Sequence, residues 1–421
     1  MNKQFFQNNR VKYAKLVSEK SISIFYSGNA PQRSGDQPYL YEANRNFYYL
    51  CGIKQANVIL MIVKGTERFN SLLYIEENDL AMAKWYGNKL SLEEASEISG
   101  VDKVKYLKDF DKDLFSLINI NRTNGAGYID MYLDLERQNM VDYTNWALEY
   151  SKKVRNDYPE VLIHNAYDKV VALRTVKEKE EIDLIKQSIE TTKGGILSLM
   201  EHSKVGLYEY QLESYFDQYI KFHGQKTTSF KTIAACGING TILHYVNNDT
   251  IIKDNELVLF DLGCCTDYYI SDITRTFPAN GKFTDRQKEV YTSVLNVNKK
   301  SIEFLKAGIT WKEYQDYARN LIFEECKKLG LVKDFNEVFN YYWHGIGHSI
   351  GLDTHDPTLF DLPLQEGVTL TVEPGIYIEE EKIGIRIEDN VVITKDGCIN
   401  LSKDIIKEID DIEAFMKNRS N

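Results

Sequence analysis

Two distant stretches of this chain follow one plan: NELVLFDLG (255–263) and EGVTLTVEPG (366–375). Each has a turn, an alternating apolar strand, a carboxylate, one further residue and a glycine. Asp261 therefore matches Glu373, and Gly263 matches Gly375. Each is followed by a returning run with another embedded acid, Asp272 in ISDITRTF and Glu388 in IRIEDNVVI. Period-two alternation marks strands, so the pair predicts antiparallel hairpins in a domain with internal pseudo-symmetry. Carboxylates inside core-like strands are costly unless paired or metal-bound. Strand ends, or Arg275 and Arg386, could satisfy one such acid. Four of them in two echoing hairpins point to a shared site.

HGIGHSIGLDTHD (344–356) adds three of the chain's seven histidines. His344 and His348 have the spacing of the H-E-x-x-H zinc helix. Gly345 stands where that helix carries its general base, and Gly345, Gly347 and Gly351 disfavour a helix. In an extended segment, at ~3.3 Å per residue, the two side chains stand about 13 Å apart. At most one of these histidines is then a metal ligand. One imidazole with four carboxylates is an oxygen-rich set. It suits two hard divalent cations of the Mn2+ type, with Co2+ or Zn2+ also able to bind. Two such ions activate water and polarise a carbonyl, so the implied reaction class is metal-assisted hydrolysis. His244, in TILHYVNND, reads by itself as a core or surface residue.

The rest of the chain frames this site. At 421 residues it exceeds one ordinary domain. Its character changes near residue 170, which sets domains of 1–170 and 171–421. The first reads as α/β, with strands at 58–63 and 69–75 joined by KGTE and helices over 90–99 and 141–154. The second opens with a long helix over 177–202, striped by Ile182, Ile185, Ile189 and Ile196. A helix over 207–222 follows. Capping boxes at Thr284/Gln287 and Thr310/Glu313 open two more, and Gly330 closes the last. The fold class is α/β (α+β). A net charge of −11 argues against nucleic acid as a partner. No apolar run reaches the ~18–20 residues of a membrane span, and the N-terminus does not read as a secretory signal. The six cysteines are scattered, and they read as free thiols in a reducing cytosol.

FDLGCCTDYYISDITRTFP, HGIGHSIGLDTHD, TVEPGIYI and GIRIEDNVVIT together resemble the signature blocks of aminopeptidase P. That family belongs to the pita-bread metallopeptidases, with methionine aminopeptidase, prolidase and creatinase. RSGDQPYLYEANRNFYYLCGI (33–53) and KWYGNKL (84–90) are similar to the N-terminal part of the same group, so the resemblance covers nearly the whole chain. It implies an N-terminal creatinase/aminopeptidase P-type domain and a C-terminal pita-bread domain, its pseudo-two-fold antiparallel sheet flanked by helices. It implies a dinuclear site held by Asp261, Asp272, His348, Glu373 and Glu388, with Asp272 and Glu388 among the bridging acids. Glu373 would also shuttle the proton of a bridging hydroxide. His355 would stabilise the tetrahedral intermediate, and His244 would bind substrate. His344, Arg386 and Tyr377 would shape the proline side of the pocket and its proton network. Trp85 resembles a tryptophan that reaches a neighbouring subunit's active site in some relatives, which implies a homodimer or larger homo-oligomer. Only fourteen residues separate Glu373 from Glu388, and DPTLFDLPLQEG is compact too, so the loops flanking the cleft are short.

The implied activity is release of an N-terminal residue from peptides with proline second, in the cytoplasm. A bond before proline offers no leaving-side N–H, so such a site must enclose the ring and hold the free amine. An acidic site suits that cationic terminus. Prolidase, restricted to Xaa-Pro dipeptides, would use the same ligands. Methionine aminopeptidase would leave the first 165 or so residues without a role. A metal-free pita-bread binding protein would be expected to lack ligands that this chain retains.

Overall fold

The apolar run at Ile59–Lys64 is buried along almost its whole length because it lies inside a six-stranded sheet. In a computed structural model, which describes residues 1–119, 127–137 and 145–419, the chain forms two compact units, Met1–Leu173 and Arg174–Asn421.

In the first unit the strands lie in the order Lys103–Tyr106, Phe69–Ile75, Ile59–Lys64, Ser21–Tyr26, Asp130–Leu133 and Leu162–Asn165. The 59–64 and 69–75 strands form an antiparallel hairpin in the register Lys64↔Phe69, closed by Gly65 N–H donating to the Arg68 carbonyl at 2.8 Å. The outer pairs are parallel. Ile22, Ile24, Met61, Tyr74 and Leu133 pack on Phe110 and Leu114 of the Phe110–Ile118 helix. The 90–99 expectation appears as a helix over Leu92–Ser99 with a full capping box from Ser91 and Glu94. The helix expected over 141–154 runs from Trp146 to Asp157; residues 141–144 lie outside the described residues.

The second unit begins with the long helix, Lys179–His202, packed on Glu209–Phe222. Two consecutive glycines interrupt the first helix's sequence at a cost in helix propensity. Packing requires them: a Cβ on Gly194 would stand 2.1 Å from the Tyr219 hydroxyl, and one on Gly195 2.4 Å from the Phe216 ring. The capping boxes at Thr284 and Thr310 open helices Asp285–Phe304 and Trp311–Lys328. Past the second, Gly330 adopts a φ of +75°.

The two echoing stretches form the antiparallel ladders they were expected to form. Leu257–Leu262 pairs with Ile273–Pro278, placing Asp261 opposite Thr274. Thr369–Val372 pairs with Asp389–Ile393, placing Val372 opposite Asp389. A further hairpin, Gly375–Ile378 with Ile383–Arg386, lies between them in sequence. The halves are tied by Glu388 N–H donating to the Thr274 carbonyl at 3.0 Å. Beneath the second ladder, Leu370, Val372, Val391 and Ile393 share a core with Leu305, Tyr314 and Ile346. Among the described residues no helix is long and apolar enough to cross a membrane.

Candidate metal centre

Each candidate acid sits at or beside a strand end of these ladders. Asp261 is the penultimate residue of its strand and Asp272 immediately precedes the returning one. Glu373 immediately follows Thr369–Val372, and Glu388 lies between Ile383–Arg386 and Asp389–Ile393. Two threonines orient two of them. Thr274 Oγ1 donates to Glu388 Oε2 at 2.7 Å, and Thr371 Oγ1 donates to Glu373 Oε1 at 3.1 Å. Asp272 is fixed through its main chain: its N–H donates to Asn390 Oδ1, and Asn390 Nδ2 donates back to its carbonyl.

The histidine segment is extended, not helical. It runs beside the second ladder, with Thr371 N–H donating to the His348 carbonyl and Glu373 N–H to that of Ile346, both at 2.8 Å. The approach is too close for side chains at some positions. A Cβ on Gly347 would stand 2.1 Å from the Thr371 carbonyl oxygen, and one on Gly351 2.7 Å from the Asp356 carboxylate. Strand proximity and an acidic neighbour therefore account for these two glycines. His348 Nδ1 lies 3.1 Å from the Ser349 carbonyl, which must accept from it. That leaves Nε2 facing the acids, 3.4 Å from Asp272 Oδ2 and from Glu373 Oε1. Ligand atoms of Asp272, His348 and Glu388 all lie within 4.8 Å of one another.

The electrostatics are those of crowded, buried like charges. Burial, then the charge of Asp261, lifts Asp272 to about 7. Burial lifts Glu373, and burial with Asp272 and Glu373 lifts Glu388 well above the usual carboxylate range. Burial alone would lower His348, but Asp272 and Glu373 outweigh it and raise it to about 9. Asp261 Oδ2 accepts from Arg386 Nη2 at 2.7 Å, whereas its Oδ1 is buried without a hydrogen-bond partner. Arg275 pairs with none of the four carboxylates; it pairs with Asp389 at 2.8 Å and donates to the Glu388 main-chain carbonyl. A cluster of oxygen donors with one imidazole nitrogen and one orphaned carboxylate oxygen fits divalent cations.

A cavity of about 580 Å³ opens on these groups. It is lined by Asp261, Asp272, Glu373, Glu388, Arg386 and the four histidines 244, 344, 348 and 355. His355 stacks on His348 with ring centroids 3.9 Å apart and planes 8° from parallel. Burial, then the charge of His348, lowers His355 to about 4. Burial and the charge of Arg386 push His344 down to about 3, so its ring is neutral. His344 Nδ1 donates to the Gly345 carbonyl at 2.8 Å and its Nε2 faces the Tyr377 hydroxyl at 2.9 Å. Arg386 Nη1 donates to the Tyr377 oxygen at 3.1 Å, so the hydroxyl proton is free to point at His344. Tyr377 itself is buried and is not among the lining residues. Trp85 is not among them either; it lies on the first unit's Leu80–Tyr86 helix and is 80% exposed.

Supporting residues escaped sequence reasoning. The loop bearing His244 is organised by the buried Glu209 carboxylate. It accepts from the N–H of Cys236 and Thr250, from Asn239 Nδ2 and from the Tyr245 hydroxyl, at 2.7 to 3.1 Å. The loop bearing His355 is anchored by Asp356, whose oxygens accept from Arg174 Nη2 at 2.6 Å and Lys177 Nζ at 2.9 Å. The only sequence signal for the latter is a pair of cations just ahead of the long helix. Phe230 and Lys231 also line the cavity, and no motif marks them; Leu243 and Thr354, which line it too, are neighbours of His244 and His355.

The chain matches the family model described as metallopeptidase family M24 over residues 183–395, and that described as aminopeptidase P, N-terminal domain, over residues 6–125. It is 32% identical to the Xaa-Pro aminopeptidase of Escherichia coli (strain K12), over 99% of this chain and 98% of the relative. It is 31% identical to Xaa-Pro aminopeptidase 3 of Homo sapiens, over 92% and 79%. Among solved structures it is similar to an aminopeptidase P candidate from Bacillus anthracis, with 43% identity, a TM-score of 0.97 and coverage of 100% and 99%. It is also similar to zinc-substituted E. coli aminopeptidase P in complex with product, with 30% identity, a TM-score of 0.91 and coverage of 100% and 99%.

Proposed function

The chain belongs to metallopeptidase family M24, and from that membership we propose that it is an Xaa-Pro aminopeptidase whose catalytic domain spans 171–421. One observation carries the proposal: four acids, Asp272 and Glu388 buried and Asp261 and Glu373 partly buried, converge with His348 on a single cavity together with His244, His344 and His355. Asp261, Asp272, His348, Glu373 and Glu388 would hold two divalent cations. Mn2+ is the ion their hardness favours, with Co2+ or Zn2+ as alternatives. When bound, such ions lower the pKa of a water and polarise the scissile carbonyl.

The chain's own residues do the rest. The acidic wall attracts the substrate's free amine. Glu373 accepts a proton from the attacking water and delivers it to the departing proline nitrogen. His355 donates an N–H to the oxyanion of the tetrahedral intermediate. His244 holds substrate. His344, Tyr377 and Arg386 form a chain of hydrogen bonds that shapes the proline side and relays a proton. No leaving-side N–H is required, in keeping with a proline substrate.

The enzyme acts as a homodimer or larger assembly. Leu80, Met82, Trp85 and Tyr86 are all exposed on one short helix, and an apolar patch of that kind suits a second copy. Six free thiols agree with a cytoplasmic setting. Glu373→Ala should abolish Mn2+-dependent cleavage of Ala-Pro-Ala, and full retained activity would refute the mechanism. Exclusive cleavage of Ala-Pro over Ala-Pro-Ala would make the protein a prolidase instead. Absence of metal binding, with no gain of activity on Mn2+ addition, would favour a binding protein.

A further inference from the structure

Lys231 is the cavity-lining cation that the catalytic proposal leaves unused. Only two of the lining side chains are permanently cationic, Lys231 and Arg386. Arg386 is buried and committed to Asp261, Tyr377 and Thr274. Lys231 is exposed and, among the described residues, makes no hydrogen bond or ion pair. Its segment leads into the ladder. Lys231 lies two residues ahead of the strand that begins at Ile233, the register partner of Asp261, and Lys231, Ile233 and Asp261 all line the cavity. The main chain on either side is fixed. Ser229 N–H donates to the Gly263 carbonyl at 2.9 Å, and Asn248 Nδ2 donates to the Thr232 carbonyl at 2.9 Å. A rigid base thus carries a flexible stem ending in a point charge.

We propose that Lys231 is a specificity-determining residue that pairs with a carboxylate on the leaving side of the peptide, an inference that rests on the peptidase function above. The substrate's free amine is drawn to the acids, so it has no use for a lysine. The one anion that every short peptide must carry is its C-terminal carboxylate. An acidic side chain after proline offers the same chemistry. Lys231 therefore biases the enzyme toward short peptides, toward acidic ones, or both.

The test compares kcat/KM of the Mn2+-loaded protein on two matched pairs: Ala-Pro-Ala against its C-terminal amide, and Ala-Pro-Glu-amide against Ala-Pro-Gln-amide. In the wild type the anionic member of at least one pair should be favoured by about five-fold, the scale of a partly exposed ion pair. The pair that responds identifies the source of the carboxylate. Lys231→Gln should bring that ratio to about one, Lys231→Arg should preserve it, and Lys231→Glu should instead favour Ala-Pro-Lys-amide. A wild-type ratio near one in both pairs overturns the inference. So does a ratio that survives Lys231→Gln, or a Lys231→Gln loss that falls equally on all four peptides, which would mean that Lys231 only offsets the field of the acids. Failure of the wild type to cleave any of the four would overturn the peptidase function itself, and this inference with it.

Discussion

Replacing Asp356 by alanine should destabilise the second unit by about 3–5 kcal/mol, the usual cost of stripping one partner from a buried ion pair. The side chains of Arg174, Lys177 and Asp356 are 3%, 1% and 1% exposed. Arg174 retains Asp353 at 2.6 Å after the change. Lys177 retains only the Ser349 hydroxyl, at 3.4 Å, so a buried ammonium loses its countercharge. For a unit of this size each kcal/mol moves the midpoint by about 2–4 °C, which makes the expected drop roughly 10 °C. Calorimetry on the full chain would measure it. The Asp356 carboxylate also anchors the loop of His355, because it accepts from the Asp353 N–H at 3.1 Å. Turnover should therefore fall even at temperatures where the unit stays folded. Changing Lys177 to methionine as well should recover much of the stability, since the stranded charge is gone. Burial would raise the Asp356 pKa, but Arg174 and Lys177 outweigh burial and hold it low. Its contribution is thus present above the ordinary carboxylate pKa of about 3.9 and is lost as pH falls below that value. A loss of less than about 1 kcal/mol for Asp356→Ala, the scale of a surface pair, would refute the reasoning.

Other perturbations have equally definite outcomes. Mn2+ at about a hundred times its Kd should stabilise the protein by about 2.7 kcal/mol; Asp272→Ala should erase that shift in a melting experiment, and an undiminished shift would remove Asp272 from the ligand set. Glu209→Ala leaves buried N–H and O–H donors of the His244 loop without their acceptor, at about 1–3 kcal/mol per stranded group. It should raise KM for Ala-Pro-Ala, and an unchanged KM would separate that loop from substrate binding. Burial lifts Glu181 to about 7 from 4.5. Its contribution to stability is full below about pH 4 and is lost as pH rises through 7, so Glu181→Gln should gain on the wild type by roughly 3 kcal/mol between pH 4 and 8. Parallel urea-denaturation curves at the two pH values would contradict this. Gly347→Ala forces a Cβ to within 2.1 Å of the Thr371 carbonyl and should lower both stability and activity; a neutral outcome would mean that the two segments can separate freely.

The sequence by itself determined a good deal of this protein. The two ladders, the long helix and both threonine capping boxes are local patterns, and each appears where period and cap chemistry place it. The four acids were legible for the same reason: a carboxylate breaks an apolar alternation visibly, whatever the rest of the chain does. The glycines of HGIGHSIG excluded a helix, and the segment is extended. Only the tertiary structure decided which groups meet. It assigned Asp261 rather than any other acid to Arg386, sent Arg275 to Asp389, and stacked His355 on His348. It also brought Glu209 to the His244 loop and Lys177 to Asp356 from far along the chain. Lys231 carries no pattern at all, since a lone exposed lysine looks the same in sequence wherever it points. Periodicity and caps are encoded within a few residues. Burial, pairing and the pKa shifts they cause arise only when distant segments exclude water from one another.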